Sequence, residues 1–118
     1  MTNLFQDQEK FMKACDQTVG TENQTQYSLY INLIDEEVQE LRDSTTRSGD
    51  LDALIDILVV TIGALHSIGA DAEGAWNEVM ATNFAKINPS TGRVNKREDG
   101  KVLKPEGWTA PQLERFLK

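Results

Sequence analysis

The chain is poor in cysteine, histidine and proline, and each scarcity excludes a class of protein. Its 118 residues include one cysteine, one histidine and three prolines. The single cysteine, Cys15, excludes an internal disulfide and suits a reducing compartment. We expect Cys15 to pack as a small core residue, as free cysteines usually do. A di-iron carboxylate bundle needs Glu-x-x-His pairs, and the only histidine, His66, follows Gly63 at that spacing. We therefore expect His66 to be structural.

Long apolar runs and a secretion signal are also missing. The most apolar stretch, Leu51–Ile62, contains two aspartates and is too short to span a bilayer. The first residues include Asp7, Glu9 and Lys10 and lack the apolar centre of a signal peptide. We therefore expect a cytoplasmic protein that has no membrane partner.

Basic residues are outnumbered, 12 against 19 acidic ones, which gives a net charge of −7. This balance argues against nucleic acid as a partner. The acidic excess lies in residues 1–92, whereas residues 93–118 are net basic. We predict a helical domain over 1–92 and a basic C-terminal tail over 93–118 that packs on or over the functional site.

Apolar residues at helical spacing predict an all-α fold, a four-helix bundle with an irregular or short-hairpin tail. Asp50 or Ser48 is the expected N-cap of the third helix, and Asp71 that of the fourth. The tail holds Asp99-Gly100, which is typical of a tight turn. The predicted helices cover about residues 3–16, 26–45, 50–67 and 71–87.

The third helix is apolar nearly all round, and two features follow from its sequence. The short polar link before it makes the second and third helices antiparallel neighbours. A helix that is apolar on every side is buried on every side. For a chain of this size, that predicts covering by a second subunit.

Acidic residues on the second helix occupy a position that normally belongs to the core. At 100° per residue, Glu37 falls in the middle of the apolar face and Glu40 lies at its edge. A buried lone carboxylate costs several kcal/mol or more unless something compensates its charge. The simplest compensation is a hard divalent cation, with Mg²⁺ first. The apolar residues of this face are Tyr30, Leu33, Ile34, Val38 and Leu41.

The third and fourth helices add further polar candidates. Asp56 lies in the middle of the apolar third helix, whereas Asp52, in its first turn, could instead complement the helix dipole. Asn83 falls on the apolar stripe of the fourth helix, where it is a ligand contact or a buried amide. Lys86 lies at the edge of that stripe, where a lysine can also snorkel to the surface. Trp108, in the polar tail, is a better candidate for stacking on a nucleobase than Trp76, which we expect in the core.

These residues, in this order, resemble a known family. Glu36-Glu37-x-x-Glu40, then an acid-bearing apolar helix that includes Asp56, then Asn83-x-x-Lys86, is similar to the all-α nucleoside triphosphate pyrophosphohydrolases. That superfamily includes the MazG-like proteins, the phosphoribosyl-ATP pyrophosphohydrolases and the dimeric dUTPases. The segment 101–108 also resembles a bacterial and phage subset, and the whole resemblance covers about residues 3–108.

The resemblance implies a MazG-type helical fold that forms a homodimer or homotetramer and uses Mg²⁺, with Mn²⁺ as an alternative. The reaction would convert an NTP or dNTP and water into the nucleoside monophosphate and pyrophosphate. Glu36 is then the candidate base, because it lies near the cluster but off the ligand face. The other implied roles are metal binding by Glu37, Glu40, Asp52 and Asp56, and substrate binding by Asn83, Lys86, Lys101 and Lys104.

Two alternatives remain open from the sequence. The first is an activity of the phosphoribosyl-ATP pyrophosphohydrolase type. The second is a non-catalytic helical dimerisation module whose acids are degenerate. Ala53 favours the second, because it stands where the family pattern on the third helix has a glutamate, although Asp52 is adjacent.

Overall fold

A computed structural model describes residues 3–117 and confirms the all-α prediction. Within that range, none of the helices combines the length and apolar character needed to cross a membrane. A two-residue hairpin, β1 (Ile87–Asn88) with β2 (Arg93–Val94), and a 3₁₀ turn at Glu114–Phe116 complete the regular structure. The four helices are α1 (Leu4–Ala14), α2 (Gln24–Asp43), α3 (Arg47–Ser67) and α4 (Ala72–Phe84).

Side-chain caps fix where the first three helices begin. Asn3 forms a capping box with Gln6, and Asn23 accepts a hydrogen bond from the Gln26 N–H group at the start of α2. The cap of α3 is Thr46, whose hydroxyl accepts from the Gly49 N–H group at 3.0 Å. The prediction of Asp50 or Ser48 as this cap was wrong. Thr46 precedes both residues and already accepts a hydrogen bond from a backbone N–H group in the first turn, so the helix begins there.

Two compact units make up the described chain. The first comprises the described residues up to Ala72 together with Phe116 and Leu117, and it contains α1, α2 and α3. Its core is formed by Met12, Tyr30 and Ala64, one residue from each of these helices. Five partly buried apolar residues surround them: Val19, Tyr27, Leu33, Ile34 and Val60.

Helices α2 and α3 approach each other closely because α3 has glycine at the contact. A Cβ added to Gly63 would lie 2.2 Å from Cε1 of the Tyr30 ring. At the other end of the pair, a Cβ on Gly49 would lie 2.5 Å from the Ser44 hydroxyl oxygen. These two contacts define an antiparallel register, as the short link predicts.

Hydrogen bonds link the C-terminal end of α3 to α1 and α2. The His66 Nε2 atom lies 2.9 Å from the Phe5 carbonyl oxygen, and His66 is buried. The buried amide of Gln26 donates to the Ser67 hydroxyl oxygen at 2.8 Å and also donates to the Thr18 carbonyl. This pairing of buried polar groups agrees with the structural role expected for His66.

Helix α1 is shorter than predicted, which changes the environment of Cys15. The helix ends at Ala14, Cys15 is its C-cap, and Asp16 has a positive φ of 60°. The chain therefore turns away at the position where the apolar stripe would continue. Cys15 is exposed, and the prediction that it packs in the core was wrong.

The second unit, Glu73–Arg115, consists of most of α4, the β1–β2 hairpin and an irregular segment. Helix α4 ends at Phe84 rather than near residue 87, because Ile87 and Asn88 pair with Val94 and Arg93. The proline at position 89 also favours an extended conformation for Asn88. The predicted Asp99-Gly100 turn is present: the Gly100 N–H group donates to the Arg97 carbonyl at 2.9 Å.

The apolar stripe of α4 is not a core face. Trp76 is 57% exposed, so the prediction of a core position for Trp76 was wrong, and Phe84 on the same helix is 60% exposed. Ala72 is the only residue of this helix that is buried. Helical spacing identifies residues that share a face, but it does not show that another element covers that face.

Candidate active site

Three carboxylates of the first unit converge between α2 and α3. Glu37 and Glu40 come from α2 and Asp56 from α3, and one oxygen from each lies within 4.8 Å of the others. Glu37 and Asp56 are half-buried, whereas Glu40 is exposed. Each of the three side chains can therefore offer an oxygen to one small cation.

The helix register explains this convergence. Glu37 lies about two turns beyond Tyr30 on α2, and Asp56 lies two turns before Gly63 on α3. Because Tyr30 and Gly63 touch and the helices are antiparallel, Glu37 and Asp56 face each other. Glu40 is one turn further along α2, on the same side as Glu37.

Glu37 is in an unfavourable environment for a lone carboxylate. Its Oε2 atom is shielded from solvent and has no hydrogen-bond partner. The pKa of Glu37 is raised to about 7, first by its hydrogen-bonding contact with Glu40, then by burial, and then by the charges of Glu40, Asp56 and Asp52. Neighbouring negative charges and desolvation both disfavour the ionised form.

The donor set fits a hard divalent cation. Carboxylate oxygens are the ligands that Mg²⁺ and Ca²⁺ prefer, and the free Oε2 atom of Glu37 provides one that nothing else uses. A cation among the three side chains would offset both the repulsion and the lost hydration. The chain thus has an acidic cluster that can hold a divalent ion.

Asp52 and Glu36 lie outside this group of three. Asp52 is exposed and acts on Glu37 through its charge. Asp52 and Glu40 line a groove of about 410 Å³ beside the α2–α3 link. Ala53 lines the same groove and is 4% exposed. Glu36 is exposed, next to Glu37 in sequence but about 100° round the helix.

The remaining candidates belong to the second unit. The Lys86 ammonium donates to the Asn83 Oδ1 atom at 3.1 Å, and both residues are half-buried. Lys104 and Lys86 each place Nζ close to the Trp108 ring, at 5.0 and 5.1 Å from its centroid. Lys101 is exposed and follows the Asp99-Gly100 turn.

Two features were missed by sequence reasoning. Glycine at position 63, inside an otherwise bulky apolar helix, was a usable signal of close helix contact. The contact of Trp108 with two lysines had no such signal, because Lys86 and Trp108 are far apart in sequence.

The fold and the carboxylate cluster define a class, the all-α proteins with an acidic cluster between antiparallel helices that can hold a divalent cation. The family model for phosphoribosyl-ATP pyrophosphohydrolase matches residues 7–83, more than half of the chain, and the chain belongs to this family. Its activity is accordingly of the pyrophosphohydrolase type, hydrolysis of an acid anhydride in a nucleotide. A search of curated proteins finds no significant match.

Proposed function

We propose that this protein is a Mg²⁺-dependent pyrophosphohydrolase that converts a nucleoside or deoxynucleoside triphosphate and water into the monophosphate and pyrophosphate. The observation that carries the proposal is the unpartnered, shielded Oε2 atom of Glu37 beside Glu40 and Asp56. An arrangement that concentrates negative charge in this way is costly unless a cation is part of the working state.

Glu37, Glu40 and Asp56 would hold the cation, and Asp52 would assist from the edge of the groove. Bound Mg²⁺ supplies positive charge for the triphosphate oxygens and lowers the pKa of nearby water. The close packing of Tyr30 against Gly63 would fix the position of α2 relative to α3, and thereby the positions of the three carboxylates.

Glu36 would serve as the general base. Its carboxylate would take the proton from the attacking water while the new P–O bond forms and the bond between the α and β phosphates breaks. Its exposed position off the cluster leaves its lone pairs available for a proton. Pyrophosphate then leaves carrying the electron pair of the broken bond.

Asn83, Lys86, Lys101 and Lys104 would bind the phosphates or the sugar. Lysine is a common phosphate ligand because its ammonium is a compact point charge with three donors. The residues that could hold the substrate are thus net basic, in contrast to the acidic residues that could hold the cation.

Phosphoribosyl-ATP is a second candidate substrate. The observation that favours it is the description of the matching family model. The same carboxylates and the same bond cleavage would apply, so the two candidates differ in what the rest of the site accepts.

A homodimer is the assembly that we propose, and a homotetramer is the alternative. Helix α3 exposes a stripe of leucine, isoleucine and valine that runs from its second turn to its fourth. Burying a leucine or isoleucine typically contributes about 1.5–3 kcal/mol, so a covered stripe would stabilise a dimer. The stripe consists of Leu51, Leu54, Ile55, Leu58 and Val59, and Leu4 and Phe11 of α1 are also exposed.

The test is a product assay with Mg²⁺ on a panel of canonical and modified nucleoside triphosphates and phosphoribosyl-ATP. We expect release of pyrophosphate from at least one compound, and loss of that release in Glu37→Gln. Asp35→Asn is the matched control, because Asp35 is an exposed acid on the same helix. Release of only inorganic phosphate would contradict cleavage between the α and β phosphates, and no release across the panel would favour the non-catalytic dimerisation module.

A further inference from the structure

We propose that Trp108 is a positioning residue that holds the ammonium groups of Lys86 and Lys104 as a paired receptor for an oligophosphate chain. The proposal rests on the proposed function for the identity of the substrate, but the receptor itself is built entirely from residues of the second unit. It assigns Trp108 to the phosphates and not to the base.

Trp108 is fixed at both its backbone and its side chain. The Trp108 N–H group donates to the Pro105 carbonyl at 3.1 Å, and Gly107 between them has a φ of 79°. A turn with this bond favours glycine at its third position, where φ is positive. The indole Nε1–H group donates to the Thr82 carbonyl at 2.7 Å, which anchors the ring to α4.

The anchored ring brings together two lysines from distant parts of the sequence. Both ammonium groups lie within reach of cation–π attraction, Lys86 at 5.1 Å and Lys104 at 5.0 Å from the ring centroid. They therefore cannot be farther apart than the sum of those two distances. The charged oxygens on successive phosphates of one oligophosphate chain can reach two ammonium groups within that limit.

Neither ammonium is neutralised by a carboxylate among the described residues. Lys86 donates to the amide oxygen of Asn83, and the Lys104 ammonium lies over the Trp108 ring. Two arginines of the same unit are different, since Arg97 pairs with Asp99 and Arg115 with Glu78. The lysine pair thus keeps its charge for an external anion, and each can form charge-assisted bonds to phosphate oxygens.

The test uses Trp76→Phe, in which Trp108 is the only tryptophan. The full chain is titrated in EDTA with sodium tripolyphosphate and, separately, with adenosine, at constant ionic strength. We expect tripolyphosphate to change the Trp108 fluorescence saturably and adenosine to leave it unchanged. Lys86→Gln and Lys104→Gln should each weaken tripolyphosphate binding about tenfold or more, as expected when a charge-assisted hydrogen bond is lost.

Substitution of the ring separates positioning from simple structural support. The affinity for tripolyphosphate is measured by calorimetric titration. Trp108→Phe keeps an aromatic face, so its affinity should be within a few-fold of the parent's, whereas Trp108→Leu should bind much more weakly. If Trp108→Leu fails to fold, the two lysine variants and Trp108→Phe still decide the matter. In turnover, the lysine variants should raise KM more than they lower kcat.

Three results would overturn the proposal. A response to adenosine alone would make Trp108 a base-stacking platform, and no response to either compound would make it only an anchor of the tail. Unchanged binding in both lysine variants would remove the lysines from the receptor. Tripolyphosphate binding is measured without metal or turnover. Failure of the proposed function in the nucleotide panel can therefore be distinguished from failure of this proposal.

Discussion

Asp56 and Asp52 occupy the same helix but differ in their relation to the cluster. Asp56 is half-buried and has an oxygen within 4.8 Å of oxygens of Glu37 and Glu40, whereas Asp52 is exposed and acts through its charge. The difference in position should produce a difference in function.

We predict that Asp56→Ala lowers kcat/KM for pyrophosphate release by about a hundredfold or more, since even the residues that orient metal ligands typically contribute 10–100-fold. Asp52→Ala should lower kcat/KM by about tenfold or less, because Asp52 lies outside the group of three carboxylates and acts on it indirectly. Steady-state assays on the best substrate, with circular dichroism to check folding, measure both. Equal losses, or full activity of Asp56→Ala, would contradict the assignment.

Single residues also show what sequence reasoning can reach. Glu37 was identifiable because the helical period places it among apolar neighbours, and that period is independent of tertiary structure. The environment of Cys15 depended on where α1 ends, and the exposure of Trp76 depended on what covers α4. Neither is encoded in local spacing.

The pairing of α2 with α3 determines the geometry of the carboxylates. The Tyr30 ring occupies the space that any side chain at position 63 would need. Because Glu37 and Asp56 share the register of this contact, a change at Gly63 should affect both stability and metal binding.

We predict that Gly63→Ala destabilises the fold. Overpacking a tight contact typically costs about 1–3 kcal/mol, which exceeds the gain of about 0.5–1 kcal/mol from removing glycine from a helix. Thermal unfolding should show a Tm lower by several degrees. In a Tyr30→Leu background, where the ring is absent, the same substitution should cost less. An unchanged or higher Tm for Gly63→Ala alone would refute the close-contact account.

Helix existence was more predictable than helix ends. The bounds of α2 and α3 agree with their periodic patterns to within a few residues. The start of α3 was ambiguous because Thr46, Ser48 and Asp50 are all good caps. The end of α4 depended on strand pairing between Ile87 and Val94, which competes with the helix and leaves no helical signal of its own.

For the molecule as a whole, the exposed stripe of α3 predicts self-association. We expect the wild-type protein to sediment as at least a dimer at micromolar concentration, and Leu58→Asp to shift it towards the monomer, because a carboxylate in an apolar interface is costly. Leu113→Asp is the control, since Leu113 and Leu58 are similarly exposed, at 42% and 41%. A monomeric wild-type protein, or equal effects of the two variants, would contradict the proposed interface.

The most direct test of the carboxylate cluster is thermal unfolding of EDTA-treated protein with increasing Mg²⁺ or Mn²⁺. A ligand at a hundred times its Kd stabilises the folded state by about 2.7 kcal/mol, so the wild-type Tm should rise markedly. Without metal, Glu37→Gln should have a higher Tm than the wild type, because one repelling charge is removed. Its Tm should rise little when metal is added. Asp35→Asn should respond like the wild type. A wild-type Tm that does not change with either ion, or an equal rise of Tm in Glu37→Gln, would contradict the account.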